Sequence, residues 1–225
     1  EEARIINADP VLDIGLRSVR WLEEAAVEMT RSSIREDASP MQTAMAISRA
    51  GGAGDEGSSG VVLAAVLPSS LDPDAPAREG ARLAEQDECS QARLLQSLWR
   101  YLRAGRLEDG QHFCRKCKQW WRASSIGGGV PFHFDDEEGE WHGNPSRPLW
   151  RRACEAIARR AMRAPHVPGN IHEAAIYGTL SGCAELLKAV SPACDGWEDT
   201  LWARLKLALD SHLADQQFSL SATNA

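Results

Sequence analysis

The 225-residue sequence predicts an all-α protein built as an irregular stack of antiparallel helix pairs. Three observations carry that expectation. Apolar residues recur at three- and four-residue spacing through each long periodic stretch, which puts them on one inward face of a helix. One-glycine breaks at Gly105 and Gly182 separate consecutive periodic stretches; a left-handed glycine ends a helix, and a tight return makes an αα-hairpin. No stretch alternates convincingly with the period of two that a strand needs.

Taken in order, Asp9 and Pro10 open a helix over 9–29, with Leu12, Leu16, Val19, Leu22, Ala26 and Met29 as its stripe. From Thr30 to about Ser70 the periodicity fades. A short helix around Met41–Arg49 precedes the low-complexity run AGGAGDEGSSG, 50–60, expected to be a flexible insertion. LDPDAP, 71–76, is turn-rich because each proline fixes its own φ and restricts the residue before it. The organising stretch follows, from Asp87 to Ile126. Asp87 or Ser90 caps a helix whose apolar face holds Leu94, Leu95, Leu98, Trp99 and Leu102. After Gly105 the pattern restarts over 106–117 with a narrow face of Leu107, Gly110, Cys114 and Cys117, then a short helix led by Trp120 and Trp121. GGGVPFHFDDEEGEWHGNP, from Gly127 on, reads as a solvated loop.

Asn144 or Ser146 then opens a helix to about Met162, with Trp150, Ala153, Cys154, Ile157 and Ala161 inward and a basic outer face. Asn170 caps the next helix with Glu173 as capping-box partner, and Ile176, Tyr177 and Leu180 carry its apolar side. After CAELLKAV and Pro192, Asp195 caps a last helix striped by Leu201, Leu205, Ala208, Leu209 and His212. The division expected is an N-terminal helix (1–30), a flexible linker (31–70), a helical block (71–214) and a weakly ordered tail (215–225). Core positions are Leu94, Leu98, Trp121, Trp150, Ile157, Tyr177, Trp197 and Leu205, with Trp121 an anchor whose loss to alanine costs about 3–5 kcal/mol.

Charge and composition exclude several functions. Lys+Arg 25 against Asp+Glu 32 gives −7, a poor balance for nucleic-acid binding, which rests on phosphate attraction. The longest apolar run, VVLAAVL at 61–67, is far short of the roughly 20 residues of a membrane span. Six cysteines do not suggest a disulfide scaffold, and a reduced intracellular setting is expected. The opening Glu-Glu-Ala, without an initiator methionine, reads as part of a longer polypeptide.

Catalytic chemistry finds no foothold. Cys114-x-x-Cys117 with His133 and His142 offers four zinc-ligand types, but the histidines are spaced wider than the usual three to five, and there is no second C-x-x-C. A redox dithiol wants a helix N-terminus, and this pair lies near a C-terminus. G-x-S-x-G and H-E-x-x-H are absent, and Gly127–Gly129 follows a helix rather than preceding one. The acidic run from Asp135 lacks calcium-loop spacing. No catalytic residue, metal or cofactor is assigned. The apolar face of helix 91–104 is wider than one neighbour covers. It is either buried between layers or docks a partner protein along an edge at Trp99 and Leu102.

LDPDAP, LLQSLWRYLRAGRLEDG, FCRKCKQWWRASSI, GNPSRPLWRRAC, HEAAIYGTLSG and CDGWEDTLWARLKLALD, in this order and spacing, resemble the nucleoporin 107 (nucleoporin 84) family. The resemblance covers about 71–213 well and 9–29 more loosely. Lys118 stands where the family's pattern has a glycine before the glutamine, and 127–143 diverges. The resemblance implies an α-helical solenoid related to vesicle-coat proteins, a non-enzymatic building block of the nuclear pore complex at the nuclear envelope. It also implies a place in the Y-shaped scaffold. There the N-terminal helical half joins a nucleoporin 96 (145C) relative, and a C-terminal region outside this segment joins nucleoporin 133. Nucleic acid and a membrane span are not expected. Two rival readings are a generic helical-repeat adaptor with a peptide groove and a helical zinc-binding module.

Overall fold

The computed structural model describes residues 9–30, 41–52, 67–135 and 139–223. Within them run α1 (Pro10–Thr30), α2 (Met41–Gly52), α3 (Ala75–Glu79), α4 (Glu85–Arg103), α5 (Leu107–Lys116), α6 (Trp120–Ile126), β1 (His133–Asp135), β2 (Glu140–His142), α7 (Arg147–Met162), α8 (Asn170–Ser181), α9 (Leu187–Val190) and α10 (Trp197–Thr223). Most of the low-complexity run, 53–60, lies outside the described residues, as does the side chain of Met29.

Among the described residues the fold is all-α apart from one small hairpin. α4 is its axis, packing against α1, α2, α5 and α8. Leu94, Leu95, Leu98, Trp99 and Leu102 are all buried, so the wide face is covered from several sides. α7 lies along α8, whose residues from Ala174 to Thr179 are buried without a break. A helix that apolar and that enclosed belongs in the middle of a stack. α10 returns along α1: Gly15 sits under Leu209 and Glu23 beside Trp202, an antiparallel pair. A Cβ on Gly15 would come within 2.9 Å of the Leu209 side chain, so glycine permits this approach.

Helix ends follow the glycine breaks. Gly105 and Gly182 both take positive φ, 67° and 66°. Lys118 takes φ 59° in the same role after α5, with the Gln119 N–H bonded to the Cys114 carbonyl. A non-glycine residue there carries a Cβ penalty, which explains why glycine is at home at that position in the pattern the sequence resembles.

Several expectations are corrected. The stretch 127–143, read as loop, contains the antiparallel hairpin β1–β2 with His133 opposite His142, Phe134 opposite Trp141 and Asp135 opposite Glu140. Three residues per strand are too few to show as alternation, and ring contacts hold them instead. Asp87 does not cap its own helix. Its carboxylate accepts the Thr43 N–H (2.6 Å) and hydroxyl (2.6 Å) at the start of α2, while the Thr43 hydroxyl accepts the Ala84 N–H (2.9 Å) at the start of α4. Two helices thus cap each other, and part of the expected linker is docked. Glu173 is no capping-box partner: it accepts from Arg122 at 3.1 Å. At α10, Asp199 accepts the Asp195 N–H (3.1 Å), reversing the expected roles. The stripe on α10 is rotated. Trp202, Ala203, Leu207, Leu209 and Leu213 are buried, whereas Leu201, Ala208 and His212 are exposed. On α7 it is Ala158, not Ala153, that is buried. The backbone of α10 stays helical to Thr223, through most of the expected weakly ordered tail.

Candidate interaction surface

The eight tryptophans divide by what their ring N–H can reach. Trp99, 4% exposed, donates to the Ala193 carbonyl (3.0 Å) and meets Trp202 edge-to-face at 5.7 Å. Trp202, fully buried, donates to Glu23 (3.1 Å). Arg103 closes this knot. Its Nε donates to Asp199 (2.7 Å), its Nη1 to the Leu22 carbonyl (2.8 Å), and its guanidinium lies 5.1 Å from the Trp202 ring centre. Burial pushes the Glu23 carboxyl above its ordinary value, against the Trp202 bond and the nearby Lys206 and Arg103 charges. One cation therefore binds α1, α4 and α10 together, and a buried charge so satisfied stabilises only while all its partners stay.

Of the two alternatives for Trp99 and Leu102, burial between layers or a partner edge, the structure has the first: both are interior to the chain itself. The wide face of α4 is a junction between layers. Of the core positions, Leu94, Leu98 and Tyr177 are buried, and Trp150, Ile157 and Leu205 are partly buried against the core. Trp150 packs on Gly128 and donates to the Ser125 carbonyl (2.7 Å). Two placements are wrong. Trp197 is 66% exposed, and Trp121 is 41% exposed, its ring 4.3 Å from the Arg122 guanidinium at the surface side of the Arg122–Glu173 pair. Both lie one side of a helix away from the core, with Phe113 and Trp202 filling the interior instead. Spacing identifies a face; it does not say whether a neighbouring helix arrives to cover it.

Among the described residues, outward apolar side chains gather on α1 and on the hairpin, besides single exposed residues such as Leu149 and Trp197. On α1, Val11, Ile14 and Trp21 are exposed at 75%, 65% and 61%. With Ser18 and Ala25 they form a second stripe beside the core-facing one, visible in the sequence once α1 is drawn with two faces. The hairpin exposes Phe132, Phe134 and Trp141. A shallow hollow of about 270 Å³ lies between α4 and the turn before α8, lined by Ala92, Gln96, Pro165, Pro168 and Ile171 among others. That is below the usual size for a ligand site.

Cys114 and Cys117 are buried in the core, and desolvation raises Cys114 to about 11 and Cys154 to about 12. His133 and His142 face each other on the hairpin, ring centres 6.0 Å apart. Among the described residues no three of His, Cys, Asp or Glu converge on a cation position. Nor is any helix among them long and apolar enough to cross a membrane. Of the outer arginines of α7, Arg159 pairs with Glu155 and Glu185, and Arg160 with Asp74.

A family model described as nuclear pore protein 84 / 107 matches residues 3–223. The human nuclear pore complex protein Nup107 is 37% identical over 160 residues, covering 69% of this chain and 16% of that protein. The nucleoporin nup107 of Schizosaccharomyces pombe is 30% identical over 145 residues (63% of this chain, 17% of that protein). The nucleoporin NUP84 of Chaetomium thermophilum is 31% identical over 144 residues (64% and 14%). The chain therefore spans about a sixth of the length of these relatives. A helical stack held by buried ion pairs, three of its six cysteines sealed in the core and a match running nearly end to end lead to one conclusion: the chain belongs to the nuclear pore protein 84 / 107 family, structural components of the nuclear pore rather than enzymes.

Proposed function

We propose that this segment is a rigid block of the Y-shaped scaffold of the nuclear pore, at the nuclear envelope, supporting nucleocytoplasmic transport by holding the coat together. Its contact with another helical nucleoporin, a relative of nucleoporin 96 (145C), runs along the outward stripe of α1. A junction with nucleoporin 133 belongs to a C-terminal region beyond this segment. The observation that supports the reading is α1 itself. One face buries Leu12, Val19, Leu22 and Ala26 against α4 and α10, and the other leaves Val11, Ile14 and Trp21 open. Large apolar side chains aligned on a helix are the ordinary anchors of helix-to-helix contact, with aromatic residues as the strongest.

The test is Ile14→Asp with Trp21→Asp in the full-length parent protein, followed by co-purification with the nucleoporin 96 relative. At least a tenfold loss of recovered partner is expected, with the unfolding transition unchanged. Undiminished recovery would remove α1 from the interface.

A further inference from the structure

α6 adds a pair of outward rings at a point where the chain is positively charged. Trp120 is 63% exposed beside Trp121, and Ser124 one turn on shares their side, while Arg122, Ala123 and Ile126 are buried. Two cations lead up to this pair. The Lys118 N–H bonds to the Arg115 carbonyl (2.9 Å) where α5 ends, and both side chains are exposed. With the Gln119 N–H bonded to the Cys114 carbonyl, this makes a Schellman turn that sets Lys118 one turn beyond Arg115. Gln119 is buried, its amide donating to Gln91 and accepting from Arg122, and its two neighbours Lys118 and Trp120 are both outward. Arg115, Lys118, Trp120 and Trp121 therefore follow one another along a single outer ridge from α5 to α6.

The ridge is fixed from beneath. The buried Arg122 guanidinium lies 4.3 Å from the Trp121 ring centre and is itself held by Gln119 (3.0 Å) and Glu173 (3.1 Å). The Gln111 amide ties α5 to α6 by donating to the Ala123 carbonyl (3.0 Å). Groups held in this way lose little freedom when covered, so the surface is preorganised for contact.

The chemistry of the ridge selects its occupant. Among the described residues neither Arg115 nor Lys118 has a carboxylate partner, and neither exposed indole N–H is bonded. Arg, Lys and Trp side chains donate hydrogen bonds and accept none, so the ridge presents two positive charges, unmatched donors and apolar ring faces. Carboxylates next to a large apolar side chain complement all three. Nucleic acid and an anionic bilayer do so less well. Two phosphate contacts supply little affinity to a chain of net charge −7, and Glu108, exposed two turns before Arg115 on α5, repels the next phosphate or headgroup. We propose that this ridge docks an acidic segment of another protein. Its Asp or Glu residues meet Arg115 and Lys118, and an apolar side chain beside them covers Trp120 and Trp121. This docking is separate from the pairing along α1 and stands or falls independently of it.

The test places a photoreactive phenylalanine analogue at 120, and in a second version at 121, in the full-length protein assembled in its native complex. Irradiation is followed by sequencing of the linked peptide. The expected product, from either position, is a segment of a different protein carrying net negative charge. Arg115→Glu should lower its yield about fivefold, the effect of roughly 1 kcal/mol from one reversed charge. Lys118→Gly removes the second charge while suiting the left-handed turn, and should lower the yield about twofold without lowering the unfolding midpoint. A loss there reports lost contact rather than lost fold. A link to lipid or nucleic acid, to a second copy of this chain, or to an uncharged or basic segment would overturn the proposal. So would no link from either position, or a yield that either charge change leaves as it was.

Discussion

Trp99 and Trp202, buried, and Trp121, Trp141 and Trp197, exposed, are the same residue put to opposite use. The first two lie where α1, α4 and α10 meet, each with its ring N–H bonded, to a backbone carbonyl and to Glu23. The others lie on α6, the hairpin and the start of α10 with their rings in water. Burial of a tryptophan contributes through area, but only if the polar N–H finds a partner inside. Here a helix crossing supplies those partners at the knot. The exposed rings face no crossing, and their apolar area is left for other contacts.

Truncation should break this contrast most sharply. Trp202→Ala removes a fully buried ring from the knot and should cost about 3–5 kcal/mol, whereas Trp121→Ala should cost about 1 kcal/mol, mostly its contact with Arg122. Urea unfolding of the two variants checks it; equal losses would erase the distinction. Asp199→Ala strands the Arg103 charge in the same interior and should cost about 3 kcal/mol. The paired replacement Arg103→Met with Asp199→Leu should recover most of that loss, measured in the same way.

Smaller effects sharpen the edges of the comparison. Asp87→Ala uncaps α2 and should cost about 1–2 kcal/mol, with faster amide exchange at Gln42 and Thr43 than elsewhere in α2. Lys118→Gly relieves a left-handed backbone and should stabilise by up to about 1 kcal/mol. The smallest effect is a matter of pH. The folded-state pKa of Glu23 is raised, so the folded chain holds that proton more tightly than the unfolded one. Its contribution therefore favours folding at low pH and is lost as pH rises through the raised value. Glu23→Gln, which keeps an acceptor for Trp202, should flatten that part of the stability–pH curve; an unchanged slope would show that other groups produce it.

Much of the helical frame was legible because amphipathic periodicity and glycine stops are local. The spans from Glu85 to Ile126, and the breaks at Gly105 and Gly182, follow from neighbours within a few residues. The surface was not legible in the same way. Whether Trp99 and Leu102 lie between layers or at a partner edge stayed open in the sequence, because nothing in α4 says that α1, α8 and α10 close over them. The exposed stripe of α1 was present in the spacing of Val11, Ile14 and Trp21, but hidden beside a stronger core stripe.

By itself, then, the sequence determined that this chain is helical, where its helices break, and which family it resembles; each depends on residue type and short spacing. Only the tertiary structure decided that Trp99 and Trp202 go inside while Trp121 and Trp197 stay exposed, and that Asp87 caps a different helix. It also decided that Arg103 and Arg122 find carboxylates 96 and 51 residues away. Burial and charge pairing are properties of who arrives at a surface. A helix fixes its own faces through hydrogen bonds four residues long, while its neighbours are settled by packing across the whole chain.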